Sequence, residues 1–471
     1  MSANLTGVQR PQDLVERGLA GAAALAGVRG ATVLVERTGH VDLRWAMNSL
    51  TTNGVSTSAS VSVGVLADVP GGQGVGTLTR PVSTTTELSA LVEDALAAAR
   101  DATPAEDANP LLAGDVSPDW DDPAGGTGPA TLAQVGRDLG EVFARSRAES
   151  REAFGFAEHD VSTSWLGTSA GVRYRHLQPR GTIELNGKSH QRSRSTWIGR
   201  ASRDFSDVDV AAMDHQVRTR LGWQQRRVDL PAGRYDTVLP PTAVADLMIY
   251  LYWVSDGRSA FEGRSVFSRP GGGTLVGDRI TPVPLSIRSD PNRTGLECAD
   301  RVATAASSGF ASVFDNGMPA PAADWLCEGV LTGLPTTRHS AALTGLPLAP
   351  MVGNLVISHA TGSGGVDDLV AGMDRGLLLT CLWYIREVDP MTLLLTGLTR
   401  DGVYLVENGE VAGAVTNFRF NDSPVDLLRR VTAAGATEPT LSREWGEWFS
   451  RTSMPALRVS GFNMSSVSEA S

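Results

Sequence analysis

The chain has 471 residues, 41% of them hydrophobic and 20% charged, which suits a globular protein of about two or three domains and excludes a disordered or fibrous one. With 41 lysines and arginines against 52 aspartates and glutamates, the net charge is −11, so a nucleic-acid backbone would meet repulsion instead of a basic footprint. Cys298, Cys327 and Cys381 are too few and too scattered for a disulfide framework, and no apolar run reaches the roughly 18 to 20 residues that span a bilayer. The N-terminus lacks the basic and apolar regions of a secretory leader, so the expectation is a cytoplasmic protein with neither nucleic acid nor membrane as partner.

Residues 11 to 26 read as a helix that opens near Pro11 and stops at Gly27, followed by a β-branched strand at Ala31 to Val35. From Val41 to Leu66 the chain is rich in Val, Thr and Ser, and Asn53-Gly54 predicts a tight hairpin turn between antiparallel strands. Thr84-Thr-Thr-Glu87 offers a capping box for a helix whose Leu88, Leu91, Val92, Ala95, Leu96 and Ala99 share one face. A Pro-, Gly- and Asp-rich stretch over 101–130 predicts an exposed connector, and a further helix follows from Thr131 to Ser146. Alternation through 163–200 predicts more strands, with Asn186-Gly187 marking another hairpin; the boundary between domains is expected near 225–232.

The second half opens with a strand at Tyr235 to Leu239 and a long apolar helical run from Ala243 to Gly263. Beyond it the segments are short and β-rich, with turns at Gly271-Gly-Gly273, Asn316-Gly317 and Asn408-Gly409, and a helix after Asn421 capped by Asp422 or Ser423. The fold class is thus α+β: an N-terminal α/β region with antiparallel sheet over 1–228, then a β-rich C-terminal domain over 229–471.

Gly167-Thr-Ser-Ala-Gly171 has the pattern of a hydrolase nucleophile elbow, but the alternating Val172 to His176 that follows predicts a hairpin turn where an elbow needs a helix. The seven histidines include no pair at the helical spacing that would let two imidazoles hold one metal. Basic residues concentrate in Arg173 to His176 and Lys188 to Arg194, which is a solvated strand face or a site for an acidic ligand.

The order of segments resembles the TldD/PmbA family, once called modulators of DNA gyrase. The resemblance runs from Asn48 to Gly64 and the Leu88 to Ala99 helix, through Phe314-Asp-Asn-Gly-Met-Pro319, to Gly402 through Glu410 and the closing Pro455 to Gly461. Catalytic members of that family carry His-Glu-x-x-x-His before a Glu-Gly turn, and a cysteine near the C-terminus completes the zinc site. Counted back from Glu262-Gly263, those positions fall here on Val254, Ser255 and Ser259, and 444–454 contains no cysteine. Val and Ser supply neither the lone pairs that hold zinc nor the carboxylate that takes a proton from its water.

The resemblance therefore implies a chain of the PmbA (TldE) type with no catalytic residue, metal ligand or cofactor of its own. Its expected partner is a TldD-like catalytic subunit that holds zinc and degrades or processes small unfolded peptides, forming a heterodimer. The alternative is a homodimeric peptide- or ligand-binding protein without peptidase activity. Tyr252, Trp253, Ser255, Arg258, Glu262 and Arg264 are the residues expected to line the substrate cavity.

Overall fold

The computed structural model describes residues 9–83 and 87–468. Six strands, Val28–Ala46, Ser49–Val69, Gly72–Pro81, Arg151–Thr168, Arg173–Ser189 and Arg194–Ser202, form an antiparallel sheet in the order third, second, first, fourth, fifth, sixth. Because side chains alternate across a strand, Val33, Val35, Val41 and Trp45 all point to one face. Helices Pro11–Ala24 and Leu88–Asp101 cover one end of that face, and Ala133–Ala148 with Val210–Trp223 cover the other, which divides the core into two clusters along the long strands. All six apolar residues predicted for the second helix are buried, while its expected capping box at 84–86 lies outside the described residues.

Both Asn-Gly expectations in this half are corrected. Asn53 and Gly54 sit inside the strand Ser49–Val69, paired with Leu43 and Asp42, and the turn is made by Met47 and Asn48 at φ 51° and 61°. Asn48 is fixed there by its side chain, which donates to the Arg151 carbonyl and accepts from the Ala153 amide, so a third strand selects the turn. Asn186-Gly187 is likewise mid-strand; a Cβ at Gly187 would lie 2.2 Å from Val217, so its glycine serves the close approach of a helix to the sheet. By contrast, Asn408-Gly409 turns as expected, at φ 54° and 79°, between strands Val403–Glu407 and Glu410–Val415.

Between the helix that ends at Asp101 and a short 3-10 helix, Pro129–Leu132, the connector has no helix or strand, but it is less exposed than its composition suggests. Trp120 is buried in the first cluster, and its carbonyl accepts hydrogen bonds from Gln12 and Trp165. Nearby, the fully buried Asp214 carboxylate binds Arg145 at 2.8 Å and the buried Arg151 at 3.0 Å, joining two helices to a strand.

The C-terminal half forms a mixed 14-stranded sheet. The predicted linker contributes to it, since Arg227–Val228 pairs in parallel with Ala414 and Val415 at its edge. At its centre, Thr452–Val467 pairs with four strands: Gly233–Leu239, Leu355–His359, Phe418–Asp422 and Val431–Thr440. The helix Pro241–Trp253 packs on this sheet with ten buried residues. The long helix expected to reach Gly263 is in fact broken, and a separate turn of helix occupies Gly257–Phe261.

The two halves meet along a seam. Tyr174 donates to Asp300 at 2.9 Å, Trp223 meets Tyr404 edge-on, and Arg338 on the C-terminal side donates to the Pro110 carbonyl of the connector.

Candidate functional site

The break in the helix has a local cause. Asp256 caps the second turn by accepting from the Arg258 and Ser259 amides at 2.9 and 3.0 Å, while the Gly257 amide donates to the Pro335 carbonyl. Val254 and Ser255 therefore lie in the link between two helices, and Ser259 lies in the second helix. The residues at those positions are separated by a cap.

Ser255 is buried, and its hydroxyl donates to the Tyr252 carbonyl at 2.6 Å. Val254 carries no donor atom. Among the described residues, no three His, Cys, Asp or Glu side chains are grouped so as to hold a metal ion. The donor set at 254, 255 and 259 does not fit zinc.

The structure does bring that helix end against the 444–454 segment, where the resemblance directs the search for a third ligand. Aromatic side chains fill the junction. Trp253 meets Trp445 and Phe449 edge-on at 5.3 and 6.3 Å, Tyr250 packs on Trp445, and Tyr252 on Trp325 and Phe449. Such pairs add roughly 0.5–1.5 kcal/mol each beyond the area they bury.

Polar ties lock the junction as well: Trp445 Nε1 donates to the Asp246 carbonyl, and the Glu444 amide donates to Asp246 Oδ1, both at 2.8 Å. Asp246 is fully buried, and burial pushes its carboxyl well above the usual carboxylate range, against the pull of the Glu444 amide and the Ser442 hydroxyl. A carboxyl with a raised folded pKa favours the native state most when protonated. Its contribution is largest below the unfolded value of about 4 and is lost as pH rises through the folded value. Urea unfolding at a series of pH values is expected to show native stability falling from about pH 4 upward relative to Asp246→Asn; parallel curves would show that Asp246 titrates normally.

The six predicted cavity residues divide into two groups. Tyr252 is a core residue: its hydroxyl donates to the Val352 carbonyl at 3.0 Å and accepts from the Val352 amide at 2.9 Å. It and Ser255 face only an apolar void of ≈ 30 Å³, and Trp253 belongs to the aromatic junction. Arg258, Glu262 and Arg264 reach the surface. Arg258 binds Glu262 at 2.8 Å and Glu106 of the connector at 2.7 Å, and Arg264 also binds Glu262, holding its carboxyl below the usual range.

Beside the junction opens a cleft of ≈ 400 Å³ that the sequence does not announce. Strands of the N-terminal sheet supply Glu158 and Glu184, and the C-terminal half supplies Trp383, Arg443 and the exposed Trp448. Burial raises both glutamates; Arg443 partly offsets this at Glu184, and Arg180 at Glu158. The Arg443 guanidinium lies 3.8 Å from the Trp383 ring centre. These groups lie far apart in sequence, so no local pattern signals the cleft.

The other sequence candidates are structural. Gly167 to Gly171 makes the turn into strand Arg173–Ser189, and Ser169 Oγ accepts from the Ala31 amide. Cys381 is buried, and burial pushes its thiol up. No helix among the described residues is long and apolar enough to cross a membrane.

No curated protein matches the chain. Among solved structures, TldE from Thermococcus kodakarensis superposes with a TM-score of 0.75 at 16% identity, covering 96% of this chain and 99% of that one. A protein described as a modulator of a DNA gyrase, from Thermotoga maritima, gives 0.75 at 17% with the same coverage. A Bacteroides thetaiotaomicron protein described likewise gives 0.72 at 16%, covering 97% and 99%. These likenesses establish a shared fold. Residues 232–466 match the PmbA/TldA metallopeptidase C-terminal domain family, the stretch that carries the broken helix, the aromatic junction and the central strand; the chain belongs to the TldD/PmbA family.

Proposed function

We propose that this chain is the non-catalytic subunit of a zinc metallopeptidase of the TldD/TldE type, paired in the cytosol with a TldD-like chain that holds the zinc and degrades or processes small unfolded peptides. The carrying observation is the state of positions 254, 255 and 259: a valine and two serines on a capped, broken helix, beside Trp253 packed against Trp445 and Phe449. A zinc hydrolase needs fixed lone-pair donors, an open coordination position and a base for its water. None of these is met by the residues present. The likeness to TldE supports the choice of subunit type.

In the pair, this chain forms one wall of an enclosed cavity that admits only extended chains, held by backbone pairing to a sheet edge. Arg258, Glu262 and Arg264 face the peptide, and the buried Tyr252 and Ser255 with the partly buried Trp253 support them from behind. The test is to purify the chain alone and with a TldD-like partner, then measure zinc content and hydrolysis of an unstructured peptide. Zinc and cleavage are expected only in the mixture, and both should disappear when the partner's own motif is mutated. Stoichiometric zinc and cleavage by the isolated chain would overturn the proposal. An inactive mixture with peptide binding by a homodimer would replace it with the binding-protein reading.

A further inference from the structure

A second site is suggested by charge that folding gathers at the seam between the halves. The turn at His190 to Ser193 holds three successive non-glycine residues, His190, Gln191 and Arg192, at φ 52°, 56° and 68°, and it leads into strand Arg194–Ser202. A cavity of ≈ 290 Å³ opens beside this turn, closed from the other side by Arg227, Arg400 and Asp401 of the C-terminal half. Four guanidiniums and one carboxylate line it, in a chain whose net charge is −11.

Two of the arginines are already engaged. Arg192 donates to Glu152 at 2.7 Å and lies over the Phe154 ring, and Arg400 is 3.7 Å from Asp401, whose carboxylate also accepts the Ser195 hydroxyl. Arg194 and Arg227 have no hydrogen bond or ion pair from their side chains to any described residue. They come from opposite sides of the seam, so folding brings two guanidiniums to one cavity whose carboxylate among the described lining residues, Asp401, is already shared by Arg400 and Ser195. An anion entering the cavity is attracted by both guanidiniums. A guanidinium presents a planar fork of donors that matches phosphate and carboxylate oxygens.

We propose that this cavity binds a small polyanion bearing two phosphate or carboxylate groups, clasped between the two halves by Arg194 and Arg227. Its limited size and the acidity of the rest of the chain favour a small molecule over a nucleic acid, which would need an extended basic stripe. The site is separate from the peptidase reading and stands whether or not a partner chain exists.

The test is titration calorimetry of the full chain with inorganic pyrophosphate and, separately, with citrate, at about 50 mM salt so that screening does not hide the charge. Saturable binding is expected for at least one of the two, and the tighter one assigns the chemistry as phosphate or carboxylate. Arg194→Met with Arg227→Met should weaken binding by at least about tenfold, since two charge-assisted contacts are removed. Neither side chain forms a hydrogen bond or ion pair with a described residue, and circular dichroism checks that the variant is folded. Arg80→Met with Arg293→Met removes the same charge from exposed arginines elsewhere and should leave binding within about twofold. The proposal is overturned if neither anion saturates, or if the control pair weakens binding as much as the cavity pair.

Discussion

Replacing Trp445 by alanine should cost the fold about 3–5 kcal/mol, the range for deleting a large buried aromatic. Several losses coincide at this residue. Its ring is the common partner of Tyr250, Trp253 and Trp448, and its indole N–H satisfies the Asp246 carbonyl inside the core. Removal leaves a cavity beside Asp246, whose carboxyl is already fully buried. Urea unfolding should show the drop in midpoint, and Trp445→Phe should recover the packing part while the N–H is still missing. If alanine costs less than about 1 kcal/mol, the junction is plastic and the idea that it closes the old site fails.

Asp214→Ala should be as damaging, by about 3–5 kcal/mol, for an electrostatic reason. The carboxylate is fully buried and binds both Arg145 and Arg151. Arg151 is itself buried, and one of its terminal nitrogens has no hydrogen-bond partner among the described residues. Without Asp214, Arg151 keeps Glu149 at 2.7 Å but loses its inward counter-charge. The double variant Asp214→Ala with Arg151→Met should regain part of the loss, because the stranded charge goes with its partner. Chemical unfolding of the single and double variants measures the difference. A double variant less stable than the single one would mean that Arg151 contributes packing more than charge.

Periodicity was a good guide wherever a helix lies flat on a sheet. The six apolar positions of Leu88–Asp101 are all buried, as spacing alone requires of an amphipathic helix. Turns were harder to read, because Asn-Gly reports only that a positive φ is cheap. At Asn53 and Asn186 the backbone declined that option, and Met47 with Asn48 took it because a third strand, at Arg151 and Ala153, holds the asparagine side chain. The broken helix was hidden for a related reason: the Ala243 to Gly263 run is apolar throughout, and its interruption depends on Asp256 as a cap and on Pro335, about eighty residues away in sequence.

The candidate site shows the same division. The identities at 254, 255 and 259 were readable, since absent donors need no geometry. The aromatic closure was not, because it pairs Tyr250 to Trp253 with Trp445 and Phe449 from the far end of the domain. The clefts at Glu184 and at Arg194 draw residues from both halves, and only the folded seam gathers them.

The central position of Thr452–Val467 bears on how the chain is made. Four strands lean on this segment, among them Gly233–Leu239, which leaves the ribosome more than two hundred residues earlier. During synthesis the six-stranded sheet can finish as soon as Ser202 and its covering helices have emerged. The larger sheet must wait with its middle missing and its strand edges unpaired. Pairings of such long sequence separation form slowly and leave sticky intermediates open to aggregation. The nascent C-terminal half is therefore the part of this protein that most needs shelter before translation ends.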